Sequence, residues 1–126
     1  MKYIHTDAAP QPAGHYSQAV VYGGVVYVAG MLGHDPENPD KDLGGPGEQA
    51  RQALRNVEKV LQAAGSGLDC VVRMEIFVSD VEYWGPVNEV YTEVMGDHKP
   101  ARAIVPVKRF RDPYLLEIVA TAALGR

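Results

Sequence analysis

The chain has 126 residues, of which 46% are apolar and 22% charged, as expected of a soluble globular protein with one domain over residues 1–126. Its net charge is −4 and its lysines and arginines are scattered, which argues against a nucleic-acid-binding surface. The sequence predicts neither a secretory signal nor a membrane helix, and the single cysteine, Cys70, cannot form an internal disulfide. We therefore expect a cytoplasmic protein without nucleic-acid or membrane partners.

The first third of the chain combines short β-type runs with turn residues. Strands are predicted over residues 2–5, 17–22 and 25–29. The two glycines that separate the last two runs, Gly23 and Gly24, favour a tight hairpin, because such turns need positive φ angles. A long loop is predicted over residues 31–45, a length that is often functional.

Two helices and a strand are predicted in the middle of the chain. A helix is expected over residues 46–64, because apolar residues recur there at helical spacing, and Gly65 ends it. A second helix is expected over residues 83–95. Between them, residues 71–78 alternate as a strand, and the face predicted to be apolar consists of Val72, Met74, Ile76 and Val78.

Two β-branched apolar runs follow, over residues 100–108 and 115–120, and each contains one charge. Arg102 lies at the start of the first run and Glu117 in the middle of the second. A charge in a strand that is otherwise typical of a core is costly unless it is paired, so these residues are the first candidates for a functional site. A structural ion pair, or two solvated charges at a sheet edge, is the alternative.

The two runs are predicted to pair as a hairpin. If Arg109 pairs with Tyr114, Arg102 lies opposite Thr121, and Glu117 lies opposite Pro106. Arg102 and Glu117 would then share one face of the sheet and stand about 13 Å apart, flanking a small ligand without touching each other.

The order of elements predicts an α+β fold, a mixed sheet with two helices packed on one face. Several strands are apolar on both faces, and two helices cannot cover both. The sequence therefore also predicts a closed oligomer that buries the second face.

Seven segments, in order and nearly end to end, carry a resemblance to the RidA/YjgF family of enamine/imine deaminases. They span residues 14–20, 26–30, 52–56, 61–65, 87–91, 100–103 and 116–118. The most specific is Pro100-Ala101-Arg102, with Glu117 following in an apolar strand. The resemblance implies a chorismate-mutase-like fold and a homotrimer with clefts between subunits. It also implies the hydrolysis of 2-enamine and 2-imino acids to 2-keto acids and ammonia, without a cofactor.

The resemblance further implies roles for individual residues. Arg102 would bind the substrate carboxylate and Glu117 would position the attacking water. Tyr16 would line the pocket close to the reacting centre. Gly30 would offer backbone contacts and Asn88 would help to shape the cleft. Arginine suits its role because its planar fork matches a carboxylate with two parallel hydrogen bonds.

The chain departs from the family at several positions of the expected site. Met31 stands where relatives often have glutamine, and Ala29 replaces a small polar residue. Ile104, which we include among the substrate-binding residues, replaces a cysteine found in many members. Residues 110–113 replace the usual Leu-Pro-x-Gly turn. These changes put the specificity for the substrate side chain in question.

Two other functions stay open at this stage. The same inter-subunit cleft could serve a non-catalytic or regulatory protein that binds small carboxylates such as 2-keto acids. Alternatively, the deaminase could be specialised for a larger substrate. Ribonuclease activity has also been attached to the family, but the acidic net charge argues against it here. The four histidines lack metal-ligand spacing, so no metal is expected.

Overall fold

The structure is a computed structural model and describes residues 1–125. Over these residues it forms six strands and two α-helices, with 3₁₀ turns at Leu68–Cys70 and Val81–Tyr83. The elements in chain order are β1 Lys2–Ile4, β2 Ala19–Tyr22, β3 Val25–Met31, α1 Pro46–Ala63, β4 Val71–Val78, α2 Trp84–Met95, β5 Ala101–Pro106 and β6 Leu116–Ala123. In this part of the chain, neither helix combines the length and the apolarity that a membrane span requires.

The strands form one mixed sheet in the order β1-β2-β3-β6-β4-β5, in which only the β4–β5 pair is parallel. Both helices pack on the same face, which confirms the predicted architecture. The core lies between this face and the helices. Its largest fully buried apolar side chains include Leu54, Leu61, Met74, Ile76, Leu116 and Ile118.

Helix α1 begins and ends as its sequence predicts. Pro46 occupies the first turn, where its missing N–H costs nothing, and the side chain of Glu48 accepts a hydrogen bond from the Gly45 N–H at 3.1 Å. Gly65 has a φ of +83°, a conformation that glycine adopts easily after a helix. The apolar residues that recur at helical spacing are all buried, as expected of an inner face; they are Ala50, Ala53, Leu54, Val57, Val60, Leu61 and Ala64.

The predicted hairpin between the last two strands is wrong. Strand β4 lies between β5 and β6, so that Arg102 pairs with Met74 and Glu117 pairs with Phe77. The reason is that β4, α2 and β5 form a βαβ unit, in which a helical crossover returns the chain parallel to the first strand. The connection over residues 107–115 is then long enough to carry the chain past β4.

The predicted apolar face of β4 is wrong at one residue. Val72 is 54% exposed, whereas Val71 is buried. The register against β6 shifts between Val71 and Arg73, which places one extra residue in β4. Such a bulge reverses the alternation on its N-terminal side, so Val71 and Met74 both face the core.

Candidate functional site

The guanidinium of Arg102 is held against helix α2. Its Nη1 donates a hydrogen bond to Oδ1 of Asn88 at 2.8 Å. Its Cζ lies 4.8 Å from the ring centre of Tyr91 and 5.7 Å from that of Trp84, both within cation–π range. One hydrogen bond and two aromatic rings therefore fix the orientation of the planar group. Its remaining N–H donors have no hydrogen-bond partner within residues 1–125, and Arg102 lines a cavity of about 390 Å³.

Tyr91 adds an unusual feature beside this arginine. Its hydroxyl is buried and has no hydrogen-bond partner among the described residues. Burial raises the pKa of Tyr91 above its ordinary value, because the phenolate would lose its hydration, and the positive charge of Arg102 opposes the shift. The ring therefore stays neutral and keeps its π-face available to the guanidinium.

The carboxylate of Glu117 packs directly against Gly30 of the neighbouring strand β3. A Cβ placed on Gly30 would lie 2.6 Å from Cδ and 2.7 Å from Oε1 of Glu117. The register between β3 and β6 shifts between Val28 and Met31, so Gly30 lies in a bulge. The side chain of Glu117 makes no hydrogen bond or ion pair within residues 1–125. Both carboxylate oxygens are therefore available to a water molecule.

Tyr16 and Gly30 line a cleft of about 200 Å³, which we call the Tyr16 cleft. The Tyr16 hydroxyl accepts a hydrogen bond from the Ala13 N–H at 3.2 Å, so its own proton remains available to a ligand. The cleft is also lined by Met31, His34, Arg111 and Tyr114. Gly30 thus links the two groups: it lines the cleft with Tyr16, and it contacts the Glu117 carboxylate.

The expected common face of Arg102 and Glu117 is wrong. Arg102 lies in register with Met74 and Ala120, which face the helices and are buried. Glu117 is three residues from Ala120 on the same strand, so its side chain points to the opposite face. Within one chain, the two groups are separated by the sheet. They are also offset by about 10 Å along the strands and about 10 Å across them.

Ile104 lies two residues after Arg102 on the helix-facing side of β5. It is half-buried and packs against the hydrophobic core. Its proposed contact with substrate stays a prediction. Within the described residues, no group of three His, Cys, Asp or Glu side chains is arranged to hold a metal ion.

Three carboxamides that the sequence did not single out hold the walls of the Tyr16 cleft. Gln18, Gln49 and Asn56 are each only 1% exposed. From helix α1, Gln49 donates a hydrogen bond to the carbonyl of Pro113 at 3.1 Å and accepts one from the Leu115 N–H at 2.9 Å. It thereby fixes the segment that follows Arg111 in the chain.

The other two amides fix the remaining walls. Gln18 donates a hydrogen bond to the carbonyl of Pro10 at 2.9 Å. Asn56 donates two, to the carbonyls of Leu32 at 2.9 Å and His34 at 2.8 Å. Buried amides with satisfied hydrogen bonds make loops rigid, so the cleft is preformed.

A signal for two of these amides was present in the sequence. Gln49 and Asn56 occupy positions on the apolar stripe of α1, one turn before Ala53 and one turn before Val60. A polar side chain on a buried face needs a fixed partner, and long loops with unpaired carbonyls supply such partners.

Comparison with known proteins agrees with this architecture. A family model described as Endoribonuclease L-PSP matches residues 6–124. The chain belongs to this family. It is the RidA/YjgF family that the seven sequence segments resemble, so that prediction is confirmed.

Two relatives and one solved structure illustrate the similarity. The chain is 43% identical to the RutC family protein UK114 of Drosophila melanogaster, over 98% of the chain and 90% of the relative. It is 38% identical, with the same coverage, to the 2-iminobutanoate/2-iminopropanoate deaminase of Rattus norvegicus. The crystal structure of RidA from Psychrobacter sp. superimposes with a TM-score of 0.90 at 35% identity, covering 98% of this chain and 99% of that one. This likeness confirms the predicted fold class.

Proposed function

We propose that the protein hydrolyses 2-imino acids, and the enamines in equilibrium with them, to 2-keto acids and ammonia. The observation that carries this proposal is the unpaired Glu117 carboxylate, packed against a glycine at the edge of the preformed Tyr16 cleft. The rat relative named as a 2-iminobutanoate/2-iminopropanoate deaminase supports it. The reaction needs no cofactor, because the carbon of a protonated imine is already electrophilic.

In the proposed reaction, Arg102 binds the substrate carboxylate and Glu117 orients the water. The water oxygen forms a bond to the imine carbon while Glu117 accepts a proton from it. The imine nitrogen gains two protons in all, both derived from that water, one of them returned through Glu117. The C–N bond then breaks, and the products are the keto acid and ammonia. The Tyr16 hydroxyl would donate a hydrogen bond near the nitrogen.

We further propose that each site forms between two copies of the chain. Arg102 and Glu117 point to opposite faces of the sheet, so a small ligand meets both only if they come from different copies. The sheet face that carries Glu117 also exposes large apolar side chains. They are Tyr3, Tyr22, Tyr27 and Val105, which are 39% to 68% exposed. A homotrimer that buries this face and joins the two half-sites explains both features.

The activity is tested with 2-iminobutanoate generated in situ, by following keto-acid release above the uncatalysed rate. We expect the wild-type protein to accelerate release and the Arg102→Ala variant to lose most of this rate. No acceleration over Arg102→Ala would refute the proposal. Binding of 2-oxobutanoate in calorimetry without turnover would instead indicate a carboxylate-binding protein.

The shared site is tested by subunit complementation. Arg102→Ala and Glu117→Ala are each expected to be nearly inactive. When the two variants are unfolded together and refolded as a mixture, roughly a quarter of the sites combine an intact Arg102 with an intact Glu117 from a neighbouring copy. Recovery of activity to this level supports the inter-subunit site. If the oligomers are shown to have exchanged subunits and the mixture is still as inactive as each variant alone, the inter-subunit site is contradicted.

A further inference from the structure

The Tyr16 cleft has more capacity than the proposed reaction at Glu117 requires. Its lining joins Gly30 and Tyr16, which belong to the proposed reacting centre, to Met31, His34, Arg111 and Tyr114. A volume of about 200 Å³ leaves room for a substrate side chain of several heavy atoms. In the proposed reaction, the lining residues other than Gly30 and Tyr16 would therefore contact the substrate side chain.

Arg111 is the permanent charge in this lining. It makes no side-chain hydrogen bond or ion pair within residues 1–125, and the lining described there contains no aspartate or glutamate. An arginine that lines a concave surface and has no hydrogen-bonded or ion-paired partner among the described residues has donors that a ligand can use. Its planar fork is the arrangement that binds a carboxylate with two hydrogen bonds.

The position of Arg111 is fixed by contacts outside the cleft. Its carbonyl accepts a hydrogen bond from the Tyr114 N–H at 3.0 Å, which closes a turn. The buried Gln49 then binds the carbonyl of Pro113 and the N–H of Leu115. The backbone on the C-terminal side of Arg111 is therefore tied to helix α1, and little ordering of that backbone is needed when a ligand binds.

We propose that Arg111 binds an acidic group at the end of the substrate side chain, so that the preferred substrates are imines of acidic amino acids. This inference rests on the proposed deaminase function. The α-carboxylate would lie on Arg102 of a neighbouring copy, and the imine carbon beside Glu117 and Gly30. The methylene groups would contact Met31 and Tyr114, and the second carboxylate would reach Arg111.

The test compares two substrates that differ only at the end of the side chain. The imines of glutamate and of 2-aminopentanoate have the same five-carbon chain, which ends in a carboxylate or in a methyl group. We expect the wild-type protein to have a higher kcat/KM for the glutamate imine. In Arg111→Ala the ratio of the two kcat/KM values should fall about tenfold, the low end for a charge-assisted hydrogen bond because Arg111 is exposed.

Two further variants control for loop structure and net charge. Arg109→Ala removes the same charge from the same connection, outside the cleft lining, and should keep the wild-type ratio. Arg111→Lys keeps the charge but loses the fork, so its ratio should lie between those of the wild type and Arg111→Ala. Equal ratios in the wild type and Arg111→Ala would overturn the inference, as would an equal fall in Arg109→Ala.

Calorimetry separates failure of this inference from failure of the proposed function. 2-Oxoglutarate should bind the wild type about tenfold more tightly than 2-oxopentanoate, and this preference should disappear in Arg111→Ala. If the protein turns over 2-iminobutanoate but shows no such preference, only the role of Arg111 is wrong. If the preference exists without any turnover, the acidic subsite stands and the deaminase function fails.

Discussion

Replacement of Gly30 by alanine isolates the contribution of the Glu117 carboxylate. The φ angle of Gly30 is not in the left-handed region, so alanine is compatible with the backbone. The new Cβ would lie 2.6 Å from Cδ of Glu117, whereas carbon atoms at rest are about 3.5 Å apart. The carboxylate must therefore move by about 1 Å, and a misplacement of that size can cost about 100-fold in rate.

The expected result for Gly30→Ala is a kcat for 2-iminobutanoate lower by about 100-fold, with the fold retained. Because the group that moves is the far end of a flexible side chain, the unfolding free energy should fall by only about 1 kcal/mol. Gly85→Ala is the matched control. Gly85 has open space around its missing Cβ and no positive φ, so its replacement should leave kcat unchanged.

A double-mutant cycle shows whether the loss of rate acts through Glu117. In the Glu117→Ala background, the alanine at position 30 has no carboxylate to displace, so it should change the residual rate little. The reasoning is refuted if Gly30→Ala keeps the wild-type kcat. It is also refuted if the substitution lowers the rate by the same factor whether or not Glu117 is present.

Four further predictions concern the surroundings of the site. Arg102→Lys should raise KM for 2-iminobutanoate by at least about tenfold, because the ammonium cannot form two parallel hydrogen bonds with a carboxylate. An unchanged KM in steady-state kinetics would contradict this. Tyr91→Phe removes a buried hydroxyl without a partner, so urea unfolding should show equal stability or a gain of up to about 1 kcal/mol, and a clear loss would contradict this. Since the pKa of Tyr91 is raised in the folded protein, wild-type stability should fall as pH rises above about 10, more steeply than that of Tyr91→Phe. Gln49→Ala should cost about 1–3 kcal/mol in the same experiment because it leaves the Leu115 N–H unpaired, whereas the exposed Gln62→Ala on the same helix should cost little.

Local patterns in the sequence predicted the elements well, and the order of strands poorly. The bounds of α1 follow from helical periodicity and from Gly65, and those of β4 from its apolar run. The neighbours of β5 depend instead on a helical crossover between distant segments, which periodicity does not report. The exposure of Val72 depends on a one-residue bulge, which an alternation pattern cannot place.

The sequence singled out candidate site residues, but it did not predict their arrangement. Arg102 and Glu117 stood out as charges in apolar strands. Asn88, which was expected to help to shape the cleft, accepts a hydrogen bond from Arg102. Arg102 and Glu117 lie on opposite faces of the sheet because of the strand order. The wrong strand pairing therefore led to the wrong prediction that they share a face. Gln49 was missed because a glutamine in a helix is ordinarily solvated, and only its place on the apolar stripe distinguishes it.

The hydrogen bonds of the three buried amides to the cleft walls share one property: every partner in those walls is a main-chain atom. A carbonyl or N–H is present whatever side chain the residue carries, so the residues at these wall positions can be exchanged without loosening the anchor. Main-chain atoms therefore anchor the walls of the cleft, whereas side chains determine which ligand the cleft accepts. Under the proposed function, substitutions at cleft positions such as 34, 111 and 114 would therefore change the choice of substrate while the scaffold that holds them in place is unaffected.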